Sequence, residues 1–333
     1  MCVGGGITVK IEDMRNIPSP TGSDMAIVIA SYRDVVIAYD LMDGYQDVEG
    51  MKYWIEHCDV YFKRSFSNKL NKQYFESRQI SKMHKLGMNY LVTYNNNPYN
   101  NVTFNTFLKA LLGKKMNSYF TPDVFECTPM YKIRGFKILF MTRLWETPAG
   151  ENVDNQGKYQ SINNMRIAIL REMRKEFGDA FYGGLHDSKL ARKLAPDLVI
   201  SKYKTERKRY IDLLKSTDIC IGTTGLHGSI GWKTAEYTAA GKAIICEPLQ
   251  YDLPGDYLEG KNYLTFTTVE ECVNNVRVLI ENPEKLYDMK ICNLMYYYQW
   301  LRPDRLVKNT LDVTIQNRRM DRNKNDRNCN HQL

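Results

Sequence analysis

Residues 219–247 read ICIGTTGLHGSIGWKTAEYTAAGKAIICE. The order of residue types along them predicts a strand, a glycine-rich loop, a helix and a second strand. The apolar run 218–221 stops at Gly222, and glycines recur at 225, 228 and 231, so the backbone between them can come close to a ligand. Residues 232–240 have helical spacing, with Trp232, Ala235 and Ala239 on one face and Gly241 where a C-terminal cap is expected. Residues 243–246 read as a buried strand. A loop of this kind feeding a helix N-terminus suits phosphate, because unpaired N–H groups and the positive end of the helix dipole meet there.

Working outward, strand and helix alternate. Residues 137–141 predict a strand ending in Thr142-Arg143-Leu144, where a guanidinium offers forked donors to a phosphate. Residues 163–177 predict an amphipathic helix, with Ile167, Leu170 and Met173 inside and Arg166, Arg171, Arg174 and Lys175 outside. Strands at 181–185 and 198–201 and a basic helix at 205–216 lead back to the opening stretch. Beyond it, helices are expected at 269–282 and 285–300, and the tyrosines of the second read as packing.

Nearer the start, residues 26–30 are one apolar segment and residues 35–39 predict a strand. The second ends in Asp40-Leu41-Met42-Asp43-Gly44, which puts two carboxylates at the strand edge where open α/β sheets bind ligands. A helix at 48–58, strands at 60–63 and 89–94 and a helix at 102–117 follow, and residues 122–129 have the composition of a connector. The expected division is a loosely ordered start (1–24), a first α/β domain (25–134), a second (135–285), helices packing back toward the first (286–316) and a disordered basic tail (317–333).

Composition narrows the function. With 43% hydrophobic and 25% charged residues the chain is an ordinary globular one, long enough for two cores. A net charge of +8 suits an anionic partner. The eight cysteines form no C-x-x-C pair, which points to a reducing compartment and away from a zinc site. No apolar stretch is long enough to span a membrane and no signal-peptide core is present, so a cytoplasmic location is expected. There is no Walker loop, and no G-x-G-x-x-G with an acidic residue about 20 positions on to support a dehydrogenase.

The opening stretch resembles the donor signature of GT-B glycosyltransferases, particularly the family-4-like (group 1) enzymes. Gly231 matches the signature's second glycine, Glu236 its second glutamate, and Gly241-Lys242-Ala243-Ile244-Ile245 its closing strand. Gly228 stands where the family has its first acidic residue and Ser229 where it has a glycine, with His227 as the candidate replacement. Phe140-Met141-Thr142-Arg143-Leu144 is similar to the family's strand ending in G-R-L, whose arginine meets the donor pyrophosphate. The lysine that normally follows is missing, and Lys158 or Lys233 is the candidate to supply its charge.

The resemblance implies two Rossmann-like domains facing across a cleft, the first on the acceptor side and short or truncated, the second binding a nucleotide-sugar. It implies transfer of a sugar to a glycan, lipid-linked or polysaccharide acceptor without a metal or other cofactor. Peripheral contact with the inner membrane face would fit such an acceptor, and no nucleic acid is expected as partner. Arg143, His227, Gly228, Ser229, Ile230, Gly231, Lys233 and Glu236 form the expected donor site, with Asp40, Asp43 and Arg143 as the catalytic candidates. The absence of a strict D-x-D, the nearest being Asp47-Val48-Glu49, weighs against a metal-dependent GT-A enzyme. The alternatives are a sugar-nucleotide enzyme such as an epimerase, or a non-catalytic basic α/β protein that binds nucleic acid or an anionic membrane.

Overall fold

Runs of β-branched and aromatic residues, punctuated by Asp, Gly and Pro, become ten strands in two sheets among the described residues. A computed structural model describes residues 27–94, 120–148, 150 and 153–330. The expected start at 1–24 and the helix at 102–117 lie outside the described residues.

The first sheet holds β1 (Ile27–Tyr32), β2 (Val35–Asp40), β3 (Val60–Lys63) and β4 (Met83–Lys85), in that order. Helix α1 (Val48–Glu56) joins β2 to β3, and α2 (Asn68–Tyr74) with α3 (Ser77–Ile80) joins β3 to β4. Both longer helices start on a side-chain cap: Asp47 accepts from Gly50 N–H at 2.8 Å and Ser67 from Leu70 N–H at 3.3 Å. The sheet departs from the wholly parallel one expected. β1 and β2 form an antiparallel hairpin, closed by Arg33 and Asp34 at φ 51° and 64°, the left-handed pair that a two-residue turn needs. The strand expected at 89–94 is also absent. The chain leaves the sheet at Gly87 (φ 100°), packed against Pro254, and only an isolated bridge forms, between Val92 and Phe120.

The second sheet is parallel throughout, in the order β10 (Tyr263–Thr265), β9 (Ala243–Cys246), β8 (Ile219–Gly222), β5 (Ile138–Thr142), β6 (Phe181–His186), β7 (Val199–Ile200). The crossover helices are α4 (Val153–Phe177), α5 (Lys189–Leu194), α6 (Arg207–Ser216) and α7 (Trp232–Ala239), and α8 (Val269–Glu281) follows β10. Strand residues alternate between two cores. Ile138, Phe140, Ile219, Ile221 and Ile245 face α4 and α8, while Leu139, Met141, Cys220, Ile244 and Cys246 face α6 and α7. Burying each such side chain contributes about 1.5–3 kcal/mol. Strand order reverses between β5 and β8, which opens a crevice at their C-terminal ends.

Helix α9 (Pro283–Tyr296) passes through a π turn, Tyr297–Leu301, into α10 (Pro303–Asn330). Leu306, Leu311 and Val313 pack on Ile37 and Phe62 of the first sheet, and Tyr39 OH meets Thr310 Oγ1 at 2.9 Å. Residues 317–330, expected to be disordered, continue α10 instead: Pro303 starts the helix and no later Gly or Pro stops it. Among the described residues no helix is long and apolar enough to cross a membrane. Two α/β units whose strand ends open onto one cleft constitute the GT-B architecture.

Candidate active site

A cleft of about 980 Å³ lies between the units. The first unit contributes Met42 and Asp43 after β2, Arg64 after β3, and Asn89. The second contributes Arg143 after β5, Thr223 after β8 and the start of α7. The two units are joined beside it. Asp252 Oδ2 accepts from both the backbone and side-chain nitrogens of Asn68, at 2.9 and 3.0 Å, and Asp252 N–H donates to Phe66 O at 2.8 Å.

The glycine loop is a closed turn. Gly225 N–H donates to Ser229 O at 2.9 Å and Ser229 N–H to Leu226 O at 3.1 Å. Ser229 N–H is therefore spent inside the loop. His227 (φ 59°) and Gly228 (φ 67°) both take the left-handed conformation, which costs a residue with a side chain about 1–2 kcal/mol. Two bonds hold that shape: Tyr251 OH donates to His227 O and Arg64 Nη2 to Ile230 O, each at 2.7 Å. His227, Ser229 and Gly231 line the cleft; Gly228 and Ile230 do not, and shape the loop behind it. Gly231 is the N-cap of α7 and has no side chain to occupy the first-turn N–H groups. The helix was expected to carry Trp232, Ala235 and Ala239 on one face. It is instead enclosed from Thr234 to Ala239, and Trp232 stands exposed at the cleft.

Arg143 is exposed in the cleft, its guanidinium 4.0 Å from the centre of the Trp145 ring. Lys233, one residue into α7, sits 4.0 Å over the Tyr210 ring, and burial pushes its ammonium below the ordinary lysine range. Lys158 lies exposed on α4, away from the cleft. Glu236 lines the cleft floor but is only 3% exposed, with both oxygens engaged: Arg207 Nη1 at 2.8 Å and Tyr210 OH at 2.7 Å. Burial, with the Glu236 charge beside it, pushes Tyr210 up, so its hydroxyl stays a donor.

The two aspartates separate. Asp40 is fully enclosed, accepting from Lys63 Nζ and Tyr61 OH at 2.7 Å and from Met42 N–H at 2.8 Å. It anchors the loop after β2 and cannot reach an acceptor, contrary to the expectation. Asp43 does line the cleft, with its side chain 44% exposed and ion-paired to Arg64.

Arg166 was expected on the solvent face of α4. It is 4% exposed, lines the cleft, and binds Arg143 O at 2.6 Å, Thr223 Oγ1 at 3.0 Å and Thr224 O at 3.1 Å. Burial pushes its guanidinium down to about 10. Arg64, Trp145, Arg207 and Tyr210 were not singled out from sequence either. Two buried atoms of cleft-lining residues, Trp145 Nε1 and Asn89 Oδ1, have no partner among the described residues. Among the described residues no three His, Cys, Asp or Glu side chains gather as a metal set.

Residues 164–290 match the family model described as glycosyl transferase-like, a segment that runs from α4 into α9 and carries the glycine loop. The match covers less than half of the chain and agrees with the glycosyltransferase class that the sequence resembles. No curated protein matches the chain. Among solved structures it is similar to the C-terminal domain of the group 1 glycosyl transferase LpcC from Francisella tularensis, at 10% identity over 55% of this chain and 98% of that one, TM-score 0.36. It is also similar to HepE from Anabaena in complex with UDP-glucose, at 11% identity over 81% and 69%, TM-score 0.39. A third is a UDP-N-acetylglucosamine 2-epimerase, so described, from Listeria monocytogenes, at 10% identity over 86% and 74%, TM-score 0.41. No residue role rests on these three likenesses.

Proposed function

We propose that the chain is a glycosyltransferase that moves a sugar from a nucleotide-sugar donor to a hydroxyl of a glycan or lipid-linked acceptor. The observation that carries this reading is the charge of the cleft at the strand-order reversal. Among the described residues, Arg64, Arg143, Arg166, Arg207 and Lys233 line it against only Asp43 and Glu236. A diphosphate is the anion that such an excess fits, and the switch point of a parallel sheet is where it would sit.

In this reading Arg143, Lys233 and the backbone N–H groups of Trp232 and Lys233 at the start of α7 hold the diphosphate. The bond from the anomeric carbon to the β-phosphate oxygen breaks, and its electron pair stays on that oxygen. The cations stabilise the charge developing there without requiring a metal. One preorganised donor of this kind is worth about 3–4 kcal/mol of barrier. The acceptor hydroxyl attacks the anomeric carbon from the first unit's side, and Asp43, a cleft-lining carboxylate of that unit, takes its proton. Glu236 turns to the ribose hydroxyls once a donor displaces Arg207.

The test is turnover. The full chain is incubated with UDP-, GDP- and TDP-sugars, with and without glycan and lipid-linked acceptors, and released nucleoside diphosphate and product are measured. Acceptor-dependent release supports transfer. Conversion of the sugar without acceptor would favour an epimerase, and no reaction with any donor would contradict the proposal.

A further inference from the structure

Helix α4 presents two buried polar side chains, one turn apart, to the cleft wall. Asn163 pairs with the backbone of Trp145 in both directions, accepting from its N–H at 2.8 Å and donating to its carbonyl at 2.9 Å. Arg166 uses all three of its nitrogens. Nη1 holds the carbonyl of Arg143, while Nε and Nη2 hold Thr223 and Thr224 in the turn after β8. Thr224 is held in turn by Glu247, which accepts from its N–H at 2.6 Å and its hydroxyl at 2.9 Å. The ends of β5 and β8 are thus joined through one guanidinium, and the end of β9 is tied to the same turn through the Glu247 carboxylate.

Packing alone does not explain this arrangement. Arg166 makes no ion pair among the described residues, and a buried cation without one is costly. Leu170, one turn along the same helix, shows what the core takes when only packing is needed. Arg166 instead fixes the backbone of a residue whose own side chain is exposed. With Trp145 pinned by Asn163 and its ring under the Arg143 guanidinium, a long flexible side chain acquires a defined place.

We propose that Asn163 and Arg166 are positioning residues that lock segments 143–145 and 223–224 into one diphosphate cradle, acting through Arg143. This rests on the reading of the cleft as a diphosphate site. Its probe is inorganic pyrophosphate, so that it can be judged apart from nucleotide-sugar binding.

Calorimetry on the full chain compares wild type, Arg143→Ala, Arg166→Met, Arg166→Lys and the Arg143→Ala/Arg166→Met double variant, each titrated with pyrophosphate and with UDP-, GDP- and TDP-sugars. Arg166→Met is expected to weaken pyrophosphate binding about tenfold, and Arg166→Lys, which cannot make three bonds in one plane, about as much. The double variant is expected to bind within about twofold of Arg143→Ala, because residues acting through one another do not add. Binding by Arg166→Met within twofold of wild type, or losses that multiply, would overturn the proposal. Should Arg166→Met fail to fold, Asn163→Ala replaces it in the cycle with the same expectation of non-additivity. Pyrophosphate binding with this coupling but no nucleotide-sugar binding would sink the transferase reading and keep the cradle. Nucleotide-sugar binding indifferent to Arg166 would do the reverse, and no binding of either would sink both.

Discussion

Arg64 Nη2 donates to the Ile230 carbonyl at 2.7 Å, tying the end of β3 in one sheet to the glycine loop of the other. The same guanidinium is ion-paired with Asp43. One residue therefore sets both the loop expected to meet donor and the carboxylate expected to meet acceptor. Arg64→Ala should weaken nucleotide-sugar binding about tenfold and lower stability by roughly 1–3 kcal/mol, the usual cost of leaving a buried acceptor unpaired. Calorimetry and denaturant melts of the same variant read the two effects. Unchanged donor affinity would mean that the loop holds its shape without the first unit.

Glu236 is expected to contact ribose, yet in the ligand-free cleft Arg207 and Tyr210 occupy it. Wild type should therefore prefer a nucleoside diphosphate over its 2′,3′-dideoxy analogue by about tenfold, and Glu236→Ala should lose that preference. Competition binding with the two nucleotides checks this. A preference that survives in the variant would leave Glu236 as a purely structural partner of Arg207.

A pH effect follows from Lys233. Its ammonium is held below the ordinary range by burial, so between that lowered value and about 10.4 the free protein lacks a proton that an ordinary lysine would carry. A bound dianion beside it restores the proton. Donor binding should thus take up protons and weaken as pH rises through this window, and Lys233→Met should abolish the uptake. Calorimetry in buffers of different ionisation heat measures it directly.

Stability carries a second pH signature, at Asp218 on the far edge of the sheet from the cleft. Burial pushes its carboxyl up, but bonds from Lys132 at 3.0 Å and Lys290 at 3.1 Å outweigh it and hold the group below the usual carboxylate range. A depressed carboxylate contributes stability that is complete above its unfolded value and lost as pH falls through its folded one. Asp218→Asn should cost about 3 kcal/mol at pH 7, because Lys290 is left buried and uncompensated. The gap from wild type should shrink below about pH 4. Denaturant melts at several pH values would show it.

The second sheet was largely legible in the sequence because its strands are short apolar runs, with β5 stopping at Arg143, β6 at Asp187 and β8 at Gly222. The strands predicted at 137–141 and 243–246 and the helix at 232–240 fall where β5, β9 and α7 are found. The hairpin at Arg33-Asp34 was hidden because Arg is not a usual left-handed turn former and no glycine stands in the turn. The burial of Arg166 was hidden by its charge, although its spacing of three and four residues from Ile169 and Leu170 places it on the buried stripe of α4. Asp40 was misplaced for the converse reason. Its neutralising partner, Lys63, lies 23 residues away on the adjacent strand, where only the β2–β3 pairing brings it opposite. Pairings across units, such as Arg64 with Ile230, have no local signal at all.

The cleft is expected to bind a nucleotide-sugar through Arg143. The most direct measurement is a calorimetric titration of wild type and Arg143→Ala with UDP-, GDP- and TDP-sugars. At least one donor should bind wild type, with affinity falling about 100-fold or more in the variant, the loss of one preorganised charged donor. Failure of every donor to bind wild type, or equal affinity for the variant, would contradict the account.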